Sequence, residues 1–298
     1  MSIRIGTRGS RLALAQAAIV CGKLAAMGID AEKKIITTQG DTVTGVPLHE
    51  IGGQGVFVRA LDDAILAGEI DCAVHSMKDI PTFRPPGLFT AAIIKRDPPA
   101  DYIAYHSVLS GVRVIGTSST RRRAQLLRHD PELAIKDVRG NVDTRIRKLN
   151  TGEYDAIVLA EAGLMRLGIR IPGERLPPEI FVPSPNQGTI AVVSRADPLV
   201  IETLSSLDDP GTRTDVTIER AVMEQLGGGC FTPLGIYCHA SHLIAEVLSL
   251  DGKRTERIET SVQDIEQARD QGRILKGRAQ DLIEQAYTNL GVTHDAPR

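Results

Sequence analysis

The chain has no tryptophan, and aromatic side chains make up only 3% of its 298 residues. Stacking platforms for single-stranded nucleic acid are built from such rings, so their scarcity argues against that class of partner. Net charge is also small, −2 from 35 basic and 37 acidic residues. No global positive field draws in a polyanion, and any anion recognition has to come from local clustering. The four cysteines, Cys21, Cys72, Cys230 and Cys238, show no CxxC spacing and no companion histidine pattern, and no metal site is expected. A GxxxxGK loop and a GxGxxG turn after a strand are both missing, which weakens nucleotide and dinucleotide readings. No apolar run reaches membrane-spanning length, and no charged-then-apolar leader stands before Ile3-Arg4-Ile5. A cytoplasmic location away from membranes is the expectation.

What is present is a globular composition, 42% hydrophobic, in a chain long enough for about two or three domains. Strands alternate with amphipathic helices, the pattern of an α/β architecture. After Ile3-Arg4-Ile5 comes Gly6-Thr7-Arg8-Gly9-Ser10, with Ser10 a fitting N-cap for a helix to Met27 whose apolar residues are Leu14, Ala17, Ala18 and Val20. A second helix runs from Val56 to Ala67, with Phe57, Leu61, Ala64 and Ile65 on one face and Gly68 as its stop. The strand Ile70 to Val74 then delivers His75-Ser76-Met77-Lys78-Asp79 at its carboxyl end, where open α/β sheets bind ligands.

The plan repeats from about residue 100: strand Val112 to Ile115, loop Gly116-Thr117-Ser118-Ser119, helix Thr120 to Arg128. Two similar lobes imply a cleft. Strands at Ala134 to Val138 and Ala156 to Leu159 follow, each leading into a helix. A helix from Thr212 to Leu226, a hairpin of Leu243 to Leu250 with Arg254 to Ser261, and a helix from Asp264 to Leu290 make a small α+β third domain.

Basic residues concentrate on the second lobe. A solvated face accounts for Arg123, Arg128, Arg147 and Lys148. Arg121, Arg122 and Arg139 instead follow strand-to-helix loops, where free N–H groups and the helix dipole already favour an anion and a guanidinium adds a planar fork. Arg8 holds the equivalent place in the first lobe. The implied ligand is polyanionic and, lacking phosphate motifs, a carboxylate. Lys78-Asp79 supports two readings: a structural cap or ion pair, or an ionised acid that stabilises a developing cation. The segment Leu226-Gly227-Gly228-Gly229-Cys230-Phe231-Thr232-Pro233-Leu234-Gly235 is equally open, fitting a flexible turn or a thiol presented to a ligand. Cys21 and Cys72 read as core residues, and a Cys230–Cys238 disulfide is conceivable.

Taken in order, Gly6-Thr7-Arg8, His75-Ser76-Met77-Lys78-Asp79-Ile80-Pro81, Gly116-Thr117-Ser118-Ser119, Arg121-Arg122, Arg139-Gly140-Asn141 and Gly228-Gly229-Cys230 with Pro233 and Gly235 make the whole chain resemble the porphobilinogen deaminase family. The resemblance implies three domains: two lobes like those of periplasmic binding proteins around a cleft (residues 1–94 with 188–208, and 95–187) and a C-terminal α+β domain (209–298). It also implies hydroxymethylbilane synthase activity, in which four porphobilinogen molecules are condensed with loss of ammonia into a linear tetrapyrrole precursor. In that family a cysteine matching Cys230 holds a dipyrromethane cofactor by a thioether, and the acid matching Asp79 is catalytic. Lys78, Asp79, Thr117, Ser119, Arg121 and Arg122 match cofactor-holding positions, while Arg8, Ser10, Gln16, Arg139, Arg145 and Arg166 match positions that hold substrate carboxylates. Phe57 matches an aromatic beside the active-site loop. The resemblance favours a monomer whose partner is the small molecule, not nucleic acid. Two departures stand out: Gln54 where a lysine is common, and Asn186 where glycine is usual. A non-catalytic receptor closing two lobes on a carboxylate ligand is the alternative class, but it has no use for a presented cysteine.

Overall fold

A computed structural model describes residues 2–38, 58–82, 84–106, 111–227 and 232–289. In chain order the first stretch forms β1 (Ser2–Thr7), α1 (Arg11–Ala26), β2 (Asp30–Ile35), α2 (Arg59–Leu66), β3 (Cys72–Ser76) and β4 (Leu88–Ile93). The next forms β5 (Asp101–Tyr105), β6 (Val114–Gly116), α3 (Thr120–His129), β7 (Ala134–Lys136), α4 (Val142–Asn150), β8 (Ala156–Ala160), α5 (Glu161–Arg166) and β9 (Gly173–Leu176). Then come β10 (Ile190–Arg195), α6 (Pro198–Ser205), α7 (Pro210–Gln225), β11 (Leu234–His239), β12 (His242–Leu248), β13 (Thr255–Ser261) and α8 (Ile265–Asn289).

These elements form two compact units, Met1–Asp97 with Gly188–Arg213 and Pro98–Gln187 with Thr214–Arg298. The first unit is built on a five-stranded sheet ordered β2-β1-β3-β10-β4, in which β1 is parallel to β2 and β3, and β10 is antiparallel to β3 and β4. Strand alternation sends Ile3 and Ile5 to one face, where they meet Ala17, Val20 and Leu24 of α1 and Val200 and Leu204 of α6. On the other face a Cβ at Gly6 would lie 2.2 Å from the Ile70 side chain and 3.0 Å from Leu61, so only glycine lets α2 pack this close.

The second unit contains two sheets. Its five-stranded sheet is ordered β7-β6-β8-β5-β9, with β6 parallel to β7 and β8, and β5 antiparallel to β8 and β9. The strand order and the senses of pairing are those of the first sheet. The C-terminal sheet, β11-β12-β13, is antiparallel throughout, and its core joins Ile218 and Val222 of α7, Ile236, Leu243 and Val247 of the sheet, and Leu275 and Leu282 of α8. Lobe, lobe and small C-terminal sheet are therefore the architecture that the alternation of elements implied.

Several local expectations shift. The buried face of α1 is Ala13, Gln16, Ala17, Val20 and Leu24, an i, i+3, i+4 stripe, whereas Leu14 is half-buried and Ala18 exposed. The strand expected at 70–74 lies two residues later, because the N–H groups of Glu69 and Ile70 still close α2 by donating to the Ala64 carbonyl. Strands β2, β4, β5, β9, β10 and β11 add to the elements expected from the sequence. Arg128 is not part of a solvated face: its Nη1 lies 2.9 Å from the fully buried Glu246 of β12, which also accepts from Gln125 Nε2 at 2.8 Å and Arg257 Nη1 at 3.3 Å. That carboxylate clamps α3 to the C-terminal sheet.

Candidate active site residues in each unit

In the first unit, β1 and β3 are adjacent and parallel, so the loops after their carboxyl ends are neighbours. Ser10 caps α1, its hydroxyl accepting from the Ala13 N–H at 3.3 Å. Gln16, 2% exposed, donates through Nε2 to Ser76 Oγ at 2.7 Å and so joins α1 to the end of β3. There the chain makes a single 3-10 turn, Met77–Asp79. Met77 and Ile80 are buried, the Met77 N–H donates to the Thr189 carbonyl at 2.9 Å, and between these anchors Lys78 and Asp79 stand exposed. Among the described residues no hydrogen bond or ion pair engages the Asp79 carboxylate. The ion-pair reading of Asp79 thereby loses its support.

His75, on β3 and four residues before Asp79, is 5% exposed, with no hydrogen-bond partner for Nε2 among the described residues. Burial, then the charges of Arg84 and Arg8, push its pKa down to about 3, so the ring is neutral at physiological pH. Arg84 is ion-paired with Asp62 of α2, a contact that holds the chain just beyond Asp79 to the body of the unit.

In the second unit the loop after β6 carries Thr117 and Ser119. Thr117 is buried, donates its N–H to the Lys136 carbonyl, and accepts the Ser119 N–H on Oγ1 at 3.2 Å. Ser119 caps α3 by accepting from the Arg122 N–H. Arg121 and Arg122, in the first turn, are both buried. Their guanidiniums converge on Asp101, the first residue of β5: Arg121 Nη1 lies 2.7 Å from Oδ2, and Arg122 Nη2 lies 2.7 Å from Oδ1. Burial would raise the Asp101 pKa, but the two guanidiniums prevail and hold it well below the usual carboxylate range. Arg145, on α4, donates Nε–H to the Gly140 carbonyl at 2.9 Å. Burial, then the nearby charge of Arg122, push its pKa down to about 10. Arg139 lies in the loop after β7, and Arg166 is the last residue of α5.

The unit thus sets Arg121 and Arg122 on one buried carboxylate, with Arg145 near enough to feel the charge of Arg122, a surplus of positive charge suited to a ligand bearing several carboxylates. Asp101, Gln125 and Gln187 were missed from the sequence. An acid opening the apolar run Asp101-Tyr102-Ile103-Ala104-Tyr105 was the available signal.

Cys230, Phe57 and Gln54 lie outside the described residues. The segment bearing Cys230 is bracketed by α7 and β11, and β11 is fastened by the Ile236 N–H donating to the Pro183 carbonyl. Cys238 packs in the C-terminal core, and the conceivable Cys230–Cys238 bridge involves a residue outside the described ones. Asn186 has φ +62°, the left-handed region that glycine favours and asparagine tolerates, so this departure keeps the backbone shape.

The family model described as porphobilinogen deaminase, dipyromethane cofactor binding domain, matches residues 3–203, and that of the porphobilinogen deaminase C-terminal domain matches residues 213–280. The chain belongs to the porphobilinogen deaminase family. A probable porphobilinogen deaminase of Methanosarcina acetivorans is 50% identical, covering 96% of this chain and 95% of that one. That of Archaeoglobus fulgidus is 42% identical over 93% and 98%, and a porphobilinogen deaminase of Rubrobacter xylanophilus is 46% identical over 78% of each chain. Among solved structures, the methionine binding protein MetQ aligns at 13% identity over 74% of this chain and 93% of that chain, with a TM-score of 0.41, which carries no argument here. Family membership makes this chain a transferase of porphyrin biosynthesis that uses a dipyrromethane cofactor. The arginine surplus fits such a group, because each pyrrole of the cofactor carries carboxylate side chains. No described helix is long and apolar enough to cross a membrane.

Proposed function

We propose that this chain condenses four porphobilinogen molecules, with release of ammonia, into linear hydroxymethylbilane for tetrapyrrole biosynthesis. The reaction takes place in the cytoplasm, on a monomer whose dipyrromethane primer is held by a thioether to Cys230. When bound, the primer supplies the electron-rich pyrrole carbon to which substrate rings are joined. The protein's own groups do the rest. Asp79 accepts the pyrrole N–H of the substrate and stabilises the positive charge that develops as ammonia leaves the aminomethyl carbon. Lys78, Thr117, Ser119, Arg121 and Arg122 hold the primer, and Arg8, Ser10, Gln16, Arg139, Arg145 and Arg166 hold the carboxylates of substrate and growing chain.

Within the structure, the observation that carries this reading is the contrast between an exposed acid without an ion pair among the described residues, set between two buried anchors, and two arginines gathered on one buried carboxylate. The first suits a group that meets transient positive charge, the second a group that meets permanent negative charge. Intact mass spectrometry tests the reading. The purified chain is expected to carry a two-pyrrole increment and to colour with Ehrlich's reagent, and Cys230→Ser is expected to lose both. A folded, active chain of bare mass would overturn the primer, and a normally loaded Cys230→Ser chain would move the attachment elsewhere.

A further inference from the structure

Arg121 and Arg122 are adjacent on α3, and adjacent helical residues point about 100° apart. Left to the helix, their guanidiniums would diverge and their like charges would favour that divergence. Instead both turn onto the carboxylate of Asp101, which is 1% exposed. Its Oδ2 accepts from Arg121 Nη1 at 2.7 Å, and its Oδ1 accepts from Arg122 Nε at 3.1 Å, Arg122 Nη2 at 2.7 Å and Gln187 Nε2 at 2.8 Å. The carboxylate is saturated by the protein and has no place for a ligand. Arg122 completes its own set through Nη1, which donates to the Val158 carbonyl at 3.0 Å. Arg121 commits Nη1 alone, shared among Asp101, the Gln125 side-chain oxygen and the Val182 carbonyl. Among the described residues its Nε and Nη2 edge makes no hydrogen bond, and that edge has the paired geometry that receives a carboxylate.

We propose that Asp101 is a positioning residue for the cofactor site: touching no ligand itself, it orients Arg121 and Arg122 and neutralises one of their two charges, so that the Arg121 edge meets a cofactor carboxylate already aimed. The proposal rests on the reading that these arginines hold the dipyrromethane. It makes an uncommon prediction about charge. Removing the negative Asp101 makes the cluster more positive, so bulk attraction for an anionic cofactor rises while loading falls, because orientation is lost.

The test compares Asp101→Asn, which keeps the shape of the side chain, with Gln187→Met, which removes another hydrogen bond of the same carboxylate and leaves the arginine pair in place. A melting temperature is recorded for each purified chain, and the bare-mass fraction is separated from any primer-bearing one, incubated with porphobilinogen, two molecules of which add to the thiol with loss of two ammonias, and followed by intact mass. Asp101→Asn is expected to gain the two-pyrrole increment at least tenfold more slowly than the parent, and Gln187→Met at the parent rate, although both melt at a lower temperature. Loading by Asp101→Asn at or above the parent rate would overturn the proposal, as would slowed loading of both variants in proportion to their lost melting temperature, which is the signature of a structural role only. A parent chain that never gains the increment would overturn the primer reading itself, and the positioning role with it.

Discussion

The two five-stranded sheets have one strand order and one set of pairing senses, yet their matching positions carry different chemistry. Ser10 and Ser119 cap the helices after β1 and β6, the second strands in the spatial order of their sheets, and a buried glutamine, Gln16 or Gln125, follows six residues later. Three residues after the cap the first unit buries Ala13 and the second buries Arg122. The strand antiparallel to the third opens with Ile190 in the first unit, opposite Ser76, and with Asp101 in the second, opposite Ala160. An alanine and an isoleucine in one unit thus occupy the framework positions of an arginine and an aspartate in the other. A buried guanidinium is tolerated only where the neighbouring strand brings a carboxylate to it, and two changes far apart in the chain must therefore go together. The ends of the third strands differ in the opposite sense: beyond β8, Glu161 is half-buried with Arg175 Nε at 2.9 Å, whereas beyond β3 Asp79 is exposed without an ion pair from the described residues.

The largest expected effect separates those two acids. Asp79→Asn is expected to lower turnover of porphobilinogen by about 100-fold or more, the usual consequence of losing a preorganised electrostatic partner of the transition state. Glu161→Gln is expected to change it less than about twofold, since an acid already held by a cation has little effect left to exert on a developing charge. Equal losses would erase the distinction.

Next comes the buried pair. Arg122→Met leaves Asp101 in the interior with half of its cationic partners and is expected to destabilise the second unit by about 3–5 kcal/mol in a denaturant titration. A loss below about 1 kcal/mol would show that Arg121 and Gln187 suffice. His75 provides a smaller, pH-dependent effect in the first unit. Its folded pKa, about 3, lies below the ordinary 6.5, so beneath pH 6.5 the unfolded chain binds a proton that the folded chain refuses and stability falls. The slope is about 1.4 kcal/mol per pH unit, or about 3 kcal/mol between pH 6.5 and pH 4. The parent is expected to show this loss relative to His75→Leu, and parallel pH curves would contradict it. The smallest effect checks the shared framework: Ser10→Ala and Ser119→Ala are each expected to cost about 1 kcal/mol, equally in both units.

Much of this plan was legible before any coordinates. Ser10 and Ser119 announced their helices by capping chemistry, Asp79 by its place after an apolar strand, and the arginines by their place after strand-to-helix loops. The pairing of β4, β5 and β10 was not legible, because each finds its partners far away in the chain. The displacement of β3 has the same kind of cause, since Ile70 is claimed by a carbonyl of the preceding helix before it can join the sheet.

By itself, the sequence determined which groups are available: an acid, a set of arginines, a cysteine among glycines, and the alternation that folds them into repeated α/β lobes. These are local properties, set by propensity, capping and spacing. Only the tertiary structure decided which charges are committed and which remain for a ligand. Asp101 reaches Arg121 and Arg122 from another strand, and Glu246 reaches Arg128 from the C-terminal sheet, while Asp79 meets no such partner among the described residues. Burial and long-range pairing set the state of a charge, and neither is encoded in a residue's immediate neighbours.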